Sequence, residues 1–323
     1  MNQISIDLII CTYNNAVLLD RILEAIAIQE VSPHVHWQVL VVNNNCTDNT
    51  EAIVAKHIQS QKNLRMVIEP IQGLTPARLC GVQNTSGDWI AFVDDDCLLA
   101  SDWVEQSAKF ALAHPECGAI GGRVILDWEI PPPAYVLNYG YSFAQQEHGT
   151  GAKLLSCLVG AGLVVNRKAL IDCGWVDKQL LADRVGKKLI SGGDVEIALR
   201  IAAKYDIWYN SDCQLRHIIP VRRISLEYIK KINFGLGSSK LFGDSMLWHS
   251  SYSSWLLFTI FYGLRDLITV SIWALTAIRK GKATNEVAIF YSFVKGWWVG
   301  IWRLLMMEYS ERQALLGCAK VRD

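Results

Sequence analysis

The stretch Asp88-Trp89-Ile90-Ala91-Phe92-Val93-Asp94-Asp95-Asp96-Cys97 decides how the rest of the chain is read. Trp89–Val93 is apolar, rich in aromatic and β-branched residues, and predicts a buried strand. Three acids follow without a spacer. Adjacent carboxylates repel one another, so the cluster is stable only where positive charge sits among them. Two sources of that charge are open. Leu98–Phe110 has a helical look, and a helix N-terminus suits acids. A hard divalent cation carrying a diphosphate, Mg²⁺ or Mn²⁺, is the natural candidate, since such ions take one or two carboxylates plus phosphate oxygens.

Working back toward the start, Ile4–Ile10 reads as a first strand and stops at the polar tip Cys11-Thr12-Tyr13-Asn14-Asn15. Val17, Leu18, Leu19, Ile22, Leu23 and Ile26 then keep a helical period. Trp37–Val42 is a second strand ending in Asn43-Asn44-Asn45, followed by a helix over Glu51–Ser60. Leu64–Ile68 is a third, and Thr75-Pro76 opens a helix through Ala77, Arg78 and Leu79. Strand–helix alternation of this kind predicts a parallel sheet with helices on both faces. Ligands of such sheets bind beyond the carboxyl ends of the strands. The tips CTYNN, NNN and DDDC all fall there. No GxGxxG follows the first strand and no GxxxxGK[ST] occurs, which excludes the usual dinucleotide and P-loop phosphate cradles. Cation bridging is the remaining way to hold phosphates.

Taken in order, ICTYNN, VVNNNCTDNT, GLTPARLCGV and FVDDDC resemble the family 2 glycosyltransferases over roughly residues 4–240. The segments SGGDVEIALR and WYNSDCQLRHIIP resemble the hormogonium polysaccharide glycosyltransferases within that family. The resemblance implies an α/β, A-type glycosyltransferase fold, Rossmann-like and mostly parallel, and a nucleotide-sugar donor. Thr12 and Tyr13 are then expected beside base and ribose, Arg78 on the helix facing the nucleotide, and Asp95 among the donor contacts. Asn43 stands where members often carry an Asp that reads uracil. An amide donates as well as accepts, so uridine is expected ahead of guanosine without excluding it. Asp94, Asp96 and His217 are the expected ligands of Mg²⁺ or Mn²⁺. Asp194 matches the general base. Members usually have Glu-Asp there; this chain has Gly193-Asp194, and Glu196 is the reserve candidate.

Downstream of the acids, Asp102–Ala113 predicts a helix and Gly118–Leu126 a strand. The proline-interrupted stretch after it carries Trp128, Tyr135, Tyr139, Tyr141 and Phe143. These aromatics suit an acceptor wall, or simply pack against one another. Gly160-Ala161-Gly162 precedes a strand over Leu163–Val165, and the resemblance sets this small-residue turn under the donor sugar. Asp183–Lys188 is a basic loop able to close over a diphosphate, or an ordinary surface loop. A helix starts after Ser191, and Ile207–Tyr209 is a further short strand. Arg222 and Arg223, just past His217, are placed to meet a donor or lipid phosphate.

The charge is unevenly spread. Residues 1–216 carry 17 Lys+Arg against 24 Asp+Glu, and residues 217–323 carry 14 against 7 with six of the twelve Trp. A basic, Trp-rich final third suggests a membrane surface or a polyanionic partner, and no nucleic-acid partner is expected. After a helix over Glu227–Lys240, two apolar runs, Trp255–Ile278 and Val287–Met307, are each long enough to span a bilayer. Arg265 and Asp266 interrupt the first, Lys295 and Arg303 the second. Thr259, Tyr262, Asp266, Thr269, Trp273 and Thr276 draw a polar stripe along the first; Gly296 and Gly300 give the second a GxxxG. A spanning hairpin, in-plane helices and a helical dimer interface all fit. A hairpin would put the basic connector Arg279–Lys282 on the far side, against the positive-inside rule, which favours in-plane helices. Nine Cys without metal spacing read as reduced and buried, and the start lacks a basic n-region.

The expectation is therefore a catalytic domain over 1–240, with a nucleotide half 1–100 and an acceptor half 101–240. Membrane-associating or oligomerising helices follow over 241–323. The expected enzyme is an inverting, metal-dependent glycosyltransferase acting on a glycan or lipid-linked glycan in polysaccharide biosynthesis. It would be cytoplasmic and peripheral to the inner face of the plasma membrane. A nucleotidyltransferase and an inactive glycan-assembly scaffold are the alternatives. The first normally shows a Gly-rich basic signature after the first strand, which CTYNN is not.

Overall fold

The computed structural model describes residues 3–181, 192–279 and 285–319. Its first part alternates as the apolar pattern requires: β1 (Ile4–Thr12), α1 (Ala16–Ala27), β2 (Val35–Asn43), α2 (Thr50–Ile58), β3 (Leu64–Ile68), α3 (Leu74–Gln83) and β4 (Trp89–Asp94). These strands pair in parallel in the order β3-β2-β1-β4. Ile6, Leu8 and Ile10 point into one core with Leu19, Ile22 and Leu23 of α1. Their neighbour Ile9, with Leu40, Val42, Ile90 and Phe92, points into the opposite core. Period-two alternation thus buries both faces of the sheet.

Beyond β4 come β5 (Cys97–Leu99), α4 (Trp103–Ala113), β6 (Cys117–Trp128), α5 (Ala134–Leu137), β7 (Ala152–Leu155), β8 (Leu163–Asn166), α6 (Arg167–Asp172), α7 (Gly193–Ala202) and β9 (Asp206–Ile219). The sheet continues β4-β8-β6-β9-β5, with β7 also on β9. Only β6 and β9 are parallel here; β8 runs against β4 and β6, and β5 and β7 run against β9. The parallel arrangement therefore holds as far as β4, and the sheet beyond it is mixed.

Two local expectations are corrected. The acids run into strand β5, not into a helix; the helix waits until Trp103. A helix N-terminus is therefore not what compensates Asp94–Asp96. The short strand at Ile207–Tyr209 is one end of a 14-residue strand. Ser211-Asp212-Cys213 forms a bulge within that strand, marked by the register shift between Gly122 and Arg123. Gly122 is required there, because a Cβ would lie 1.7 Å from the Cys213 carbonyl oxygen.

The chain ends in α8 (Leu226–Met246), α9 (Tyr252–Arg279), α10 (Asn285–Met306) and α11 (Tyr309–Leu315). Helix α8 runs unbroken through residue 240 and shares a core with Leu199 of α7 and Trp297 and Ile301 of α10. Glycines let α8 and α10 touch backbone to backbone. A Cβ on Gly296 would lie 2.0 Å from the Phe234 carbonyl oxygen, and one on Gly237 2.1 Å from that of Phe293. The GxxxG is thus used inside the chain. Trp297 Nε1 donates to the Thr259 carbonyl at 3.1 Å and ties α9 to α10. Among the described residues one helix, α9, is long and apolar enough to cross a membrane, where the sequence suggested two. It leaves Leu257, Phe261, Ile268, Leu275 and Ile278 exposed. Its polar stripe is internally satisfied: Thr269 and Thr276 donate to carbonyls of their own helix, and Asp266 pairs with Arg265.

Candidate active site

Parallel pairing sets Thr12 opposite Asn43 and Cys11 opposite Asp94, so the three polar tips do share one rim. Asp95 ties two of them together. Its carboxylate accepts from Thr12 Oγ1 at 2.7 Å and from Asn15 Nδ2 at 2.8 Å. Burial and the neighbouring Asp96 push its pKa up to about 7, against the pull of those two donors.

Asp96 is only 3% exposed. Arg223 Nη1 donates to its Oδ2 at 2.7 Å, and His217 Nε2 lies 3.2 Å from Oδ1. Burial opposes the charge, yet His217 and Arg223 together hold the carboxyl well below the usual range. On the other side of the imidazole, His217 Nδ1 is 2.7 Å from the Phe143 carbonyl oxygen. A carbonyl only accepts, so Nδ1 carries a proton. Nε2 then holds either a proton shared with Asp96 or a metal ion, and the ring is already oriented for both. Pairing of Cys97 with His217 across β5 and β9 brings these groups together.

The donor chemistry fits a divalent cation: carboxylates from Asp94 and Asp96, and one oriented imidazole. Cys97 Sγ lies within 4.8 Å of the Asp96 and His217 ligand atoms. It belongs to the core beneath the sheet, and burial, then the three acids, raise its pKa far above normal. It is a packed thiol.

Asp194 stands in the first turn of α7, half-buried. Its Oδ2 accepts from the Gly160 backbone N–H at 3.0 Å. A Cβ on Gly160 would fall 2.6 Å from that of Asp194, so the glycine is what admits the acid. Gly160–Gly162 leads into β8, whose Leu163 pairs with Phe92 of β4. The turn therefore lies alongside the acid-tipped end of β4. The reserve candidate Glu196 is corrected: it is fully buried, accepts from the Leu180 and Leu181 N–H groups, and pairs with Arg200 at 2.8 Å. It holds the chain before α7 and has no access to a substrate proton.

The remaining predicted residues divide by exposure. Tyr13 is 44% exposed on the rim. Thr12 is buried behind it with its hydroxyl spent on Asp95. Asn43 is buried; its amide donates to Glu51 at 3.3 Å and its oxygen accepts from Cys46 N at 2.9 Å. Asn44 is structural, donating to the Glu69 and Ile71 carbonyls and accepting from Gly73 N. Arg78 is not a solvated helix arginine. It is 4% exposed, with its guanidinium 5.5 Å from the Phe92 ring centre. Phe143 and Trp128 pack edge-to-face in a small core with Ile219 and Ile229, so most of the aromatic stretch stabilises itself. Tyr141 is exposed and donates to Asn233 of α8. The basic loop Asp183–Lys188 and Ser191 lie outside the described residues. Sequence reasoning assigned Arg223 to a phosphate, not to Asp96, and missed the Asn15 tether. Asn15 stood in the CTYNN tip, whereas nothing local to Arg223 signalled a partner in β4's tip.

A rim of this kind, on a sheet with a parallel first half and a mixed second, matches the A-type glycosyltransferase architecture. The chain belongs to glycosyl transferase family 2, whose sequence model matches residues 7–174. It is 26% identical over 272 residues to the glycosyltransferase AglE of Haloferax volcanii, covering 84% of this chain and 80% of that one. It is 24% identical over 174 residues to the glucosyl-dolichyl phosphate glucuronosyltransferase of the same organism, covering 52% and 55%. Among solved structures it resembles the mannosyltransferase PcManGT of Pyrobaculum calidifontis in complex with GDP-Man and Mn²⁺. The TM-score is 0.61 at 17% identity, over 94% of this chain and 88% of that one. S. aureus TarS 1–349 in complex with UDP-GlcNAc gives 0.51 at 17% identity, over 72% and 66%. At those identities the likeness speaks for the fold alone.

Proposed function

We propose that this glycosyltransferase is inverting and metal-dependent. It moves a sugar from a nucleotide-sugar, UDP- before GDP-, to a glycan or lipid-linked glycan in polysaccharide biosynthesis. The observation that carries this reading is Asp96 held charged by His217 and Arg223 at the end of β4, with Asp194 fixed to the turn beside it. Asp94, Asp96 and His217 would hold Mg²⁺ or Mn²⁺, which supplies the charge that neutralises a leaving diphosphate. Tyr13 offers its exposed ring to the base, and Asp95 fixes the rim's shape through Thr12 and Asn15. Asp194 uses one oxygen on Gly160 N–H; its other oxygen, unbonded among the described residues, accepts the proton of the attacking hydroxyl. One base opposite the leaving group suffices for inversion.

The name of the glucuronosyltransferase relative, which refers to a glucosyl-dolichyl phosphate, supports a lipid-linked acceptor here. The exposed apolar side of α9 supports attachment to a membrane. The basic connector favours helices in the plane of the cytoplasmic leaflet. We keep residues 1–240 as the catalytic unit and 241–323 as the attaching one.

Purified protein, given a panel of nucleotide sugars with Mn²⁺, should release nucleoside diphosphate. EDTA should stop the release, and Mn²⁺ or Mg²⁺ should restore it. Release of pyrophosphate instead would show nucleotidyl transfer, and metal-dependent binding without release would show a scaffold. Proton NMR of the product's anomeric signal decides inversion. Extraction by carbonate or high salt is expected for in-plane helices, whereas a requirement for detergent would mean spanning.

A further inference from the structure

A cleft of about 420 Å³ lies between the start of α7, helix α8 and the end of α10. Leu181, Phe242 and Met307 give it apolar walls. Two polar groups face it from those walls. Arg303 of α10 lies over the Phe242 ring, 5.1 Å from its centre, and donates to Ser238 Oγ at 3.1 Å. No ion pair with a carboxylate is formed by Arg303 among the described residues, and burial lowers its pKa. Ser239 is 9% exposed, and its hydroxyl has no hydrogen-bond partner among the described residues. A half-buried guanidinium without a counter-ion and a buried hydroxyl without a partner can both be completed by an anionic group that accepts hydrogen bonds.

The mouth says what the rest of the ligand is. Trp302 and Met306 stand there, each 62% exposed. They continue into exposed Leu305 and Tyr309. Among the described residues the lining has one acid, Glu311, and it is exposed. An anion held at the back of a cleft with an apolar lip describes a lipid phosphate. The volume falls within the ~300–1,000 Å³ range of small-molecule sites. Gly192 lines the cleft, two residues before Asp194. A phosphate held here therefore lies next to the helix start that carries the proposed base.

We infer that this cleft binds the phosphate and first chain carbons of the lipid-linked acceptor, with Arg303 and Ser239 as the phosphate's donors. The inference rests on the acceptor reading given above. Its test needs no turnover. Full-length protein in dodecyl maltoside is titrated with dodecyl phosphate by calorimetry, with inorganic phosphate and phosphatidylglycerol as competitors. Dodecyl phosphate should bind and Arg303→Gln should weaken it at least tenfold. Ser239→Ala, which removes only an unpartnered hydroxyl, should weaken it a few-fold without lowering Tm. Asp96→Asn, altered at the donor rim, should bind as the parent does. Equal binding by the parent and both cleft variants would overturn the site. Competition by inorganic phosphate at equal affinity would make it a free-anion site, and equal competition by phosphatidylglycerol a bulk-lipid site; either ends the acceptor assignment. A protein that binds dodecyl phosphate but turns over no nucleotide sugar would refute the transferase mechanism and leave the cleft standing.

Discussion

Replacing Arg223 with Gln tests the charge balance of the rim directly. The Asp96 side chain is 5% exposed and that of Arg223 15%, so their contact is poorly screened by solvent. Removing one member of a buried pair costs about 3–5 kcal/mol when nothing else compensates the partner. Here His217 remains 3.2 Å from Asp96, which brings the expected loss down to about 2–3 kcal/mol. At ~2.1 cal/mol/K of unfolding entropy per residue, that is a Tm drop of about 3–4 °C for this chain in EDTA. Divalent cation should return most of it. At a hundred times its Kd an ion adds ~2.7 kcal/mol, and in the variant it meets Asp96 without an arginine in place. The measurement is thermal unfolding of parent and Arg223→Gln, in EDTA and across a Mn²⁺ series. The variant should start lower and gain more. Equal Tm values in EDTA, or equal gains with Mn²⁺, would refute both the compensating role of Arg223 and the place of the cation.

Three further outcomes are expected. Asp194→Asn should retain nucleotide-sugar affinity by calorimetry and lose transfer by two or more orders of magnitude; wild-type-like transfer would remove the base assignment. Glu196→Gln should shift the urea midpoint to a loss of about 2–4 kcal/mol, because the carboxylate serves two backbone N–H groups and Arg200, while kcat per folded molecule stays near that of the parent. A large fall in kcat at unchanged stability would instead return Glu196 to the chemistry. Gly296→Val should part α10 from α8, since even a Cβ falls 2.0 Å from the Phe234 carbonyl oxygen, and should cost more than about 2 kcal/mol or prevent folding; an unchanged melting curve would contradict that packing.

Much of this molecule is legible from residue patterns, and the limits have physical causes. Trp89–Val93 announces a buried strand because five neighbours are apolar and stiff, and the acids after it mark the rim. That Asp95 is a tether and Asp96 an ion-pair partner is invisible locally, since all three residues read alike. Their difference is set by what the sheet brings alongside: Thr12 from β1, and Arg223 from 127 positions away. The burial of Arg78 is likewise invisible in the sequence, because tertiary packing sets its guanidinium over Phe92. Glu196 looked available because one turn of helix separates neither its chemistry nor its charge from Asp194. The Leu180 and Leu181 amides that occupy it arrive from an earlier turn. The bulge in β9 hid a long strand, because polar Ser211 and Asp212 interrupt its pattern.

Helix α8 has a consequence for how the enzyme meets its acceptor. Its first turns sit in the same small cluster as Phe143, whose carbonyl aims His217, and its later turns are locked by glycine contacts to α10. Twenty-one residues make it a strut about 31 Å long. If α10 seats at a bilayer as proposed above, its depth would be passed on along this strut as a fixed altitude for the rim. Acceptors of one stem length would then be served and others left out of reach, and the helix would act as a gauge as well as a support.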